Sequence, residues 1–169
     1  MHIPCNAAAA AWTCSDFQHV SAGNPRATLV GDLAEGHNFP ADAFDCIVLT
    51  QTLHLIYDMG KAVVTLHRML KPGGVLLVTV PGVSSIDRGE WRATWYWSLS
   101  PAALRRLLSE RFGEANNSVA AYGNVLTAIA FLYGLAESEL RPAEIDAHDP
   151  QYPVIVAARA VKQYETDHA

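Results

Sequence analysis

The stretch Phe44-Asp45-Cys46-Ile47-Val48-Leu49-Thr50-Gln51-Thr52-Leu53-His54 runs on through a helical segment to Lys71-Pro72-Gly73-Gly74 and a second apolar run ending at Pro81. Cys46 to Leu49 is continuously apolar, which suits a parallel strand covered on both faces. After a tight passage from Leu53 to Tyr57, Asp58 is placed to cap a helix. In it Met59, Ala62, Val63, Leu66, Met69 and Leu70 fall at i, i+3, i+4, i+7, i+10 and i+11, a single buried stripe. Pro72 cannot continue that helix and the two glycines permit a sharp reversal, so Val75 to Val80 reads as another buried strand. Strand, helix and strand form a right-handed crossover, one half of a nucleotide-type α/β sheet.

Downstream, Ser100-Pro101 supplies an N-cap and a first-turn proline. Leu104, Leu107 and Leu108 line one helical face, and Gly113 stops the helix just past Phe112. Ser118 to Tyr122 reads as a strand, Val125 to Leu135 as an apolar helix and Pro142 to Asp146 as a short acidic turn or helix. Val154 to Ala158 reads as the last strand of the sheet. Upstream, Phe17 to Val20 and Ala27 to Val30 are short strand candidates separated by the turn formers Ser21-Ala22-Gly23-Asn24-Pro25. Before Phe44 the sequence shows no glycine-rich phosphate or nucleoside loop of the kind that normally precedes such a half-sheet. The expected organisation is an atypical Ala-rich segment over 1–14, a truncated α/β domain over 15–162 and a polar tail over 163–169.

The 169 residues give room for one domain with a real core, since half of them are hydrophobic and 17% are charged. A net charge of −5 offers no clustered cationic footprint, so nucleic acid and an anionic membrane surface are disfavoured as partners. Cys5, Cys14 and Cys46 are an odd set without C-x-x-C spacing, and His37, His54 and His67 have no mutual ligand spacing, so neither a disulfide framework nor a metal is indicated. This usage fits a cytoplasmic protein. The N-terminus is a weak match to a signal peptide, and no apolar run approaches the length of a transmembrane helix.

Laid out this way, the chain resembles the C-terminal two-thirds of a class I S-adenosylmethionine-dependent methyltransferase. The motifs that carry the resemblance are Gly31-Asp32-Leu33, the strand Phe44 to Thr50 with Gln51 to Leu55, and Leu66-His67-Arg68-Met69-Leu70-Lys71-Pro72-Gly73-Gly74. The runs Tyr122-Gly123-Asn124-Val125 and His148-Asp149-Pro150-Gln151-Tyr152-Pro153 look like a bacterial subgroup acting on small-molecule or glycan-related acceptors. The resemblance implies a Rossmann-like, mostly parallel sheet flanked by helices, with an antiparallel C-terminal strand. It also implies a first central strand and glycine loop that this sequence lacks, so the expected form is a shortened enzyme with impaired cofactor binding. The alternative is a non-catalytic remnant or partner subunit acting by binding, with a homo-oligomer or partner chain filling the missing strand. A nicotinamide-dependent oxidoreductase shares the sheet but would need its own glycine fingerprint.

For the site, the resemblance implies that Asp32 accepts from the adenine amino group while the Leu33 amide addresses a ring nitrogen. An Asp capping the following turn is the plainer alternative. Ser21 stands where the family has an acid that binds the ribose, so that contact is weakened. Thr50 and Gln51 follow a strand at its carboxyl end, where open α/β sheets bind ligands. Methyl transfer from a sulfonium is an in-line displacement that depends chiefly on alignment. A hydroxyl acceptor would benefit from a base, for which His148 and His54 are candidates; His54, between Leu53 and Leu55, also reads as a packed core histidine. Trp91, Trp95 and Tyr96, with Trp97 and Tyr152, are candidate walls of the acceptor pocket, or a cap on the core beneath a long loop.

Overall fold

The computed structural model describes residues 31–164. The strands expected at Phe17–Val20 and Ala27–Val30, the Ala-rich segment and Ser21 lie outside the described residues.

The first strand, β1 (Phe44–Thr50), leads through a single 3₁₀ turn at Leu53–Leu55 to α1 (Met59–Met69). Asp58 caps α1 as expected, its carboxylate accepting from the Lys61 amide at 3.1 Å. Strand β2 (Leu70–Pro81) follows without a break. Here the structure departs from the expected reversal: Pro72-Gly73-Gly74 lies inside the strand as a bulge. The two-residue step from Phe44 to Cys46 on β1 is matched by the five-residue step from Leu70 to Val75 on β2. Gly73 takes φ +79, and the bulge is held from the far end of the chain, since Gly73 N donates to Lys162 O at 2.8 Å and Lys162 N to Gly74 O at 2.9 Å. The Lys162 ammonium adds bonds to Asp42 Oδ1 at 2.7 Å and Leu70 O at 2.8 Å.

Helix α2 (Pro101–Phe112) has the expected Ser100 cap and Gly113 stop. It is followed by β3 (Asn117–Tyr122), α3 (Val125–Tyr133), α4 (Pro142–Asp146) and β4 (Ile155–Val161). The described sheet has the order β1-β2-β4-β3. β1 and β2 pair in parallel, and β4 runs antiparallel to both of its neighbours, so β1, β2 and β3 share one direction. This is the α/β class expected.

Helices α1 and α2 pack on the same face. Ala62, Val63, Leu66 and Met69 of α1 and Leu104, Leu108 and Phe112 of α2 bury Ile47, Leu49, Leu76, Val78, Val80 and Val156. The opposite face carries Cys46, Val48, Val75, Leu77, Ala157, Ala120 and Tyr122. Among the described residues no helix covers it: Val48 is 47% and Tyr122 58% exposed, and a mainly apolar groove of about 520 Å³ lies along it. The apolar run Cys46 to Leu49 predicts cover on both faces. Alternation within that run, with Ile47 and Leu49 buried and Val48 exposed, shows cover on one.

Candidate functional site

Four strands bring their ends to one edge of the sheet. The carboxyl ends of β1, β2 and β3 and the start of antiparallel β4 meet through the pairs Thr50↔Thr79, Thr79↔Ala157, Pro81↔Ile155 and Tyr122↔Ile155. This is the edge at which parallel α/β sheets hold ligands. At its β1 side Gln51 sits at φ +48, and its amide donates to Thr79 O at 2.9 Å and to Thr79 Oγ1 at 3.2 Å. The Thr52 hydroxyl donates back to Thr50 O at 2.9 Å, turning the chain into the Leu53–Leu55 turn.

That turn drives His54 inward to 1% exposure. Neither ring nitrogen has a hydrogen-bond partner, and burial pushes its pKa below the ordinary 6.5. The loop after β2 lies over it. This loop leaves at Pro81 and returns where Leu99 N donates to Pro81 O at 3.0 Å, while Gly82 N and Val83 N donate to Val154 O and Pro153 O at 3.0 and 2.9 Å. It is therefore a loop tied at its neck. Trp95 meets the His54 ring edge-on at 4.7 Å. Tyr57 stands against Tyr96 at 5.3 Å and Trp97 at 5.8 Å, and Trp97 Nε1 donates to Ile56 O at 3.2 Å. Of the candidate wall residues, Trp95 thus packs on His54, while Tyr96 packs on Tyr57. Trp91 lies in the body of the loop, where its amide is bonded to Asp87 Oδ2 at 3.0 Å.

His148 and Tyr152 occupy the other side of the edge, both exposed, on a turn fastened by Asp149 N to Gly123 O at 3.0 Å and by Gln151 N to Asp149 Oδ1 at 3.0 Å. That turn sits beside β3, whereas His54 sits beside β1, with β2 and β4 between them. Three strand spacings separate the two supports by about 14 Å, so His54 and His148 address different parts of any ligand. Asn124 steadies the His148 side: it caps α3, and its Nδ2 reaches Glu144 O and Ala147 O at 2.8 and 2.6 Å.

Asp32 behaves as a turn-capping residue, with Oδ1 accepting from Ala34 N at 2.7 Å. Leu33 is buried in the core. The turn is fixed to α1 by Arg68, which donates to Gly36 O at 2.5 Å and Phe39 O at 2.9 Å, beside a groove of about 580 Å³ of mixed lining that includes His37, Lys61 and Arg111. Sequence reading missed Tyr57 and Thr79. The one available signal is that Thr79 is a polar residue in an otherwise apolar strand, near its carboxyl end.

The described residues thus form a Rossmann-like sheet with helices on one face and a tied aromatic loop over its carboxyl edge. Residues 6–114, more than half of the chain, match the methyltransferase domain family, and the chain belongs to that family. Its fold is that of the class I methyltransferases. A curated relative, the ubiquinone/menaquinone biosynthesis C-methyltransferase UbiE of Marinomonas sp., is 49% identical over 45 residues, 27% of this chain and 18% of that protein. The match thus spans under a fifth of the relative's length. Among solved structures, Haemonchus contortus phosphoethanolamine N-methyltransferase 2, in complex with phosphomonomethylethanolamine and S-adenosylhomocysteine, has a TM-score of 0.52 at 19% identity, covering 80% of this chain and 37% of that one. An Archaeoglobus fulgidus S-adenosylmethionine-dependent methyltransferase has a TM-score of 0.52 at 13% identity, covering 82% of this chain and 68% of that one.

Proposed function

We propose that this chain transfers, or helps to transfer, a methyl group from S-adenosylmethionine to a small-molecule or glycan-related acceptor, with cofactor binding weaker than in a chain that carries a glycine loop. The observation that carries this reading is the loop after β2 at the carboxyl edge of the sheet, which sets Trp95 against buried His54 and Tyr96 and Trp97 against Tyr57. The cofactor supplies a methyl group already activated on a sulfonium. The chain's own part is then to hold and align the acceptor and keep water out.

Thr50, Gln51, Asp32 and Leu33 are proposed to hold the cofactor. Asp32 presents an exposed carboxylate, but with one oxygen committed to its own turn, and Ser21 brings no charge to the ribose, so affinity is modest. Trp91, Trp95, Tyr96 and Tyr152 are proposed to line the acceptor side. His54, held neutral by burial, is the candidate base beside β1, and His148, exposed beside β3, is the second. The functional unit is proposed to be the segment 15–162, in the cytoplasm. Isothermal titration of the purified chain with S-adenosylhomocysteine should give saturable heat and a thermal shift. Absence of both would sink the catalytic reading.

The apolar sheet face that no helix covers among the described residues supports a second reading, in which the chain acts by binding, as a partner subunit or homo-oligomer. Sedimentation over a concentration series separates the two: a stable dimer without affinity for S-adenosylhomocysteine favours binding alone.

A further inference from the structure

His54 is an expensive residue for the space it fills. A neutral imidazole presents one donor and one acceptor, and here both nitrogens are buried without a partner. Asn117 also leaves one buried oxygen unpaired, but its amide nitrogen bonds Gly113 O at 2.7 Å and Ser109 Oγ at 3.1 Å, which ties α2 to β3 and accounts for the residue. No such bond accounts for His54. Its neighbours Leu53 and Ile56 are core residues, and a leucine in its place would avoid the desolvation cost of the two nitrogens.

The cover over His54 is also unlike the rest of its surroundings. Below lie the ends of the sheet; above lies Trp95, carried on the loop between Pro81 and Leu99. The body of that loop holds one short 3₁₀ turn, Glu90–Ala93, and its outward Ile86 is 63% exposed. The bonds Leu99 N to Pro81 O and Gly82 N to Val154 O lie at the neck, and Trp97 is pinned separately to Ile56 O. Between these fixed points the loop contains no strand and pairs with none.

We propose that Trp95 is a gate, and that the His54 ring behind it is the hydrogen-bonding contact for a polar group of the methyl acceptor, a hydroxyl or an amine, made when the loop opens. The acceptor, rather than the cofactor, is the partner because the gate is built from the same loop as Tyr96 and Trp97, whereas the cofactor residues proposed above lie on the Asp32 turn and the end of β1. The inference rests on the methyl-transfer reading, which it deepens. The acceptor that fits is aromatic or otherwise flat enough to replace the Trp95 edge, with one polar substituent directed at the ring.

Three measurements on the full chain test it. Diethyl pyrocarbonate should modify His54 slowly in the wild-type protein, while Trp95→Ala should speed that reaction at least about tenfold with exposed His148 unchanged, and Trp95→Phe should fall between. In ¹⁵N-histidine spectra, phenol or benzylamine should move the His54 ring nitrogens saturably and toluene should not. His54→Gln, which keeps a hydrogen-bonding group, should bind phenol more tightly than His54→Leu. Equal modification rates with and without Trp95, or equal responses to phenol, benzylamine and toluene, overturn the proposal. So does a His54 signal already hydrogen-bonded in the free protein, or one moved by S-adenosylhomocysteine alone. If phenol or benzylamine engages His54 while S-adenosylhomocysteine fails to bind, the contact stands and the methyl-transfer reading falls.

Discussion

The Gln51 amide donates to both the carbonyl oxygen and the hydroxyl of Thr79, at 2.9 and 3.2 Å, fastening the end of β1 to β2 where the proposed cofactor and acceptor positions adjoin. Gln51 accepts a left-handed φ of +48 to do so, a conformation that costs a side-chain-bearing residue about 1 kcal/mol. The Gln51 side-chain amide also faces Thr79 Oγ1, at 3.4 Å.

Thr79→Val keeps the β-branched shape but removes the hydroxyl acceptor, while the Gln51 amide retains the Thr79 carbonyl. Folding stability should fall by no more than about 1 kcal/mol. S-adenosylhomocysteine affinity should fall more than stability does, because the Gln51 turn loses both of its bonds to the Thr79 hydroxyl and keeps only the one to the carbonyl. Calorimetric titration beside urea unfolding checks this, and unchanged affinity would remove Gln51 from the cofactor site.

Burial lowers the pKa of His54. The same is true of His67, where burial acts first and the charges of Lys162 and Arg111 add to it against the opposing pull of Asp42. A histidine whose folded pKa lies below its unfolded 6.5 stabilises the fold above that pH, and the contribution is lost as pH falls through the folded value. Unfolding midpoints should therefore drop as pH is lowered from about 6.5. His54→Leu should flatten the drop, and at neutral pH it should leave stability unchanged or slightly raised, since two unpaired nitrogens are removed. A clear loss of stability at pH 7.5 would mean that the imidazole has a bonded structural role.

Gly82 stands at the neck of the gating loop. A Cβ there would lie 2.2 Å from the carbonyl oxygen of Pro153 and 3.0 Å from its carbonyl carbon, both backbone atoms. Gly82→Ala must therefore push the 153–154 segment away, breaking the bond from Gly82 N to Val154 O. The expected cost is about 1–3 kcal/mol in chemical denaturation, together with faster modification of His54 as the loop loosens. A variant as stable as the parent would show that the neck is not closed in solution.

What was legible in the sequence was whatever is decided locally. Helix α2 could be read from Ser100-Pro101, its leucine stripe and Gly113, because caps and stops act within one turn of the chain. The Pro72-Gly73-Gly74 segment was not, because its bonded partner is Lys162, some ninety residues away, and the same three residues suit a turn or a bulge until that partner is known. Asp32, a candidate from its motif, has one carboxylate oxygen in its own turn, and Asp149 does the same in the turn after His148, a use as local as the motif itself. The burial of His54 could be anticipated from its leucine neighbours. Its meeting with Trp95, like that of Gln51 with Thr79, depends on how loop and strand registers converge, which periodicity does not encode.

The one-sided cover of the sheet among the described residues gives the sharpest stability test. Leu76 and Leu77 are adjacent on β2 but face opposite ways: Leu76 is fully buried under the helices, and Leu77 lines the apolar groove on the open face. Leu76→Ala should cost about 2–5 kcal/mol, the range for deleting a buried leucine. Leu77→Ala, at a half-buried position on that face, should cost clearly less, about 1–2 kcal/mol. Measured by urea unfolding at two protein concentrations, equal losses would show that the open face is covered in solution. If the Leu77→Ala loss grew with concentration, the cover would be a second copy of the chain; if it did not, the cover would come from the same chain.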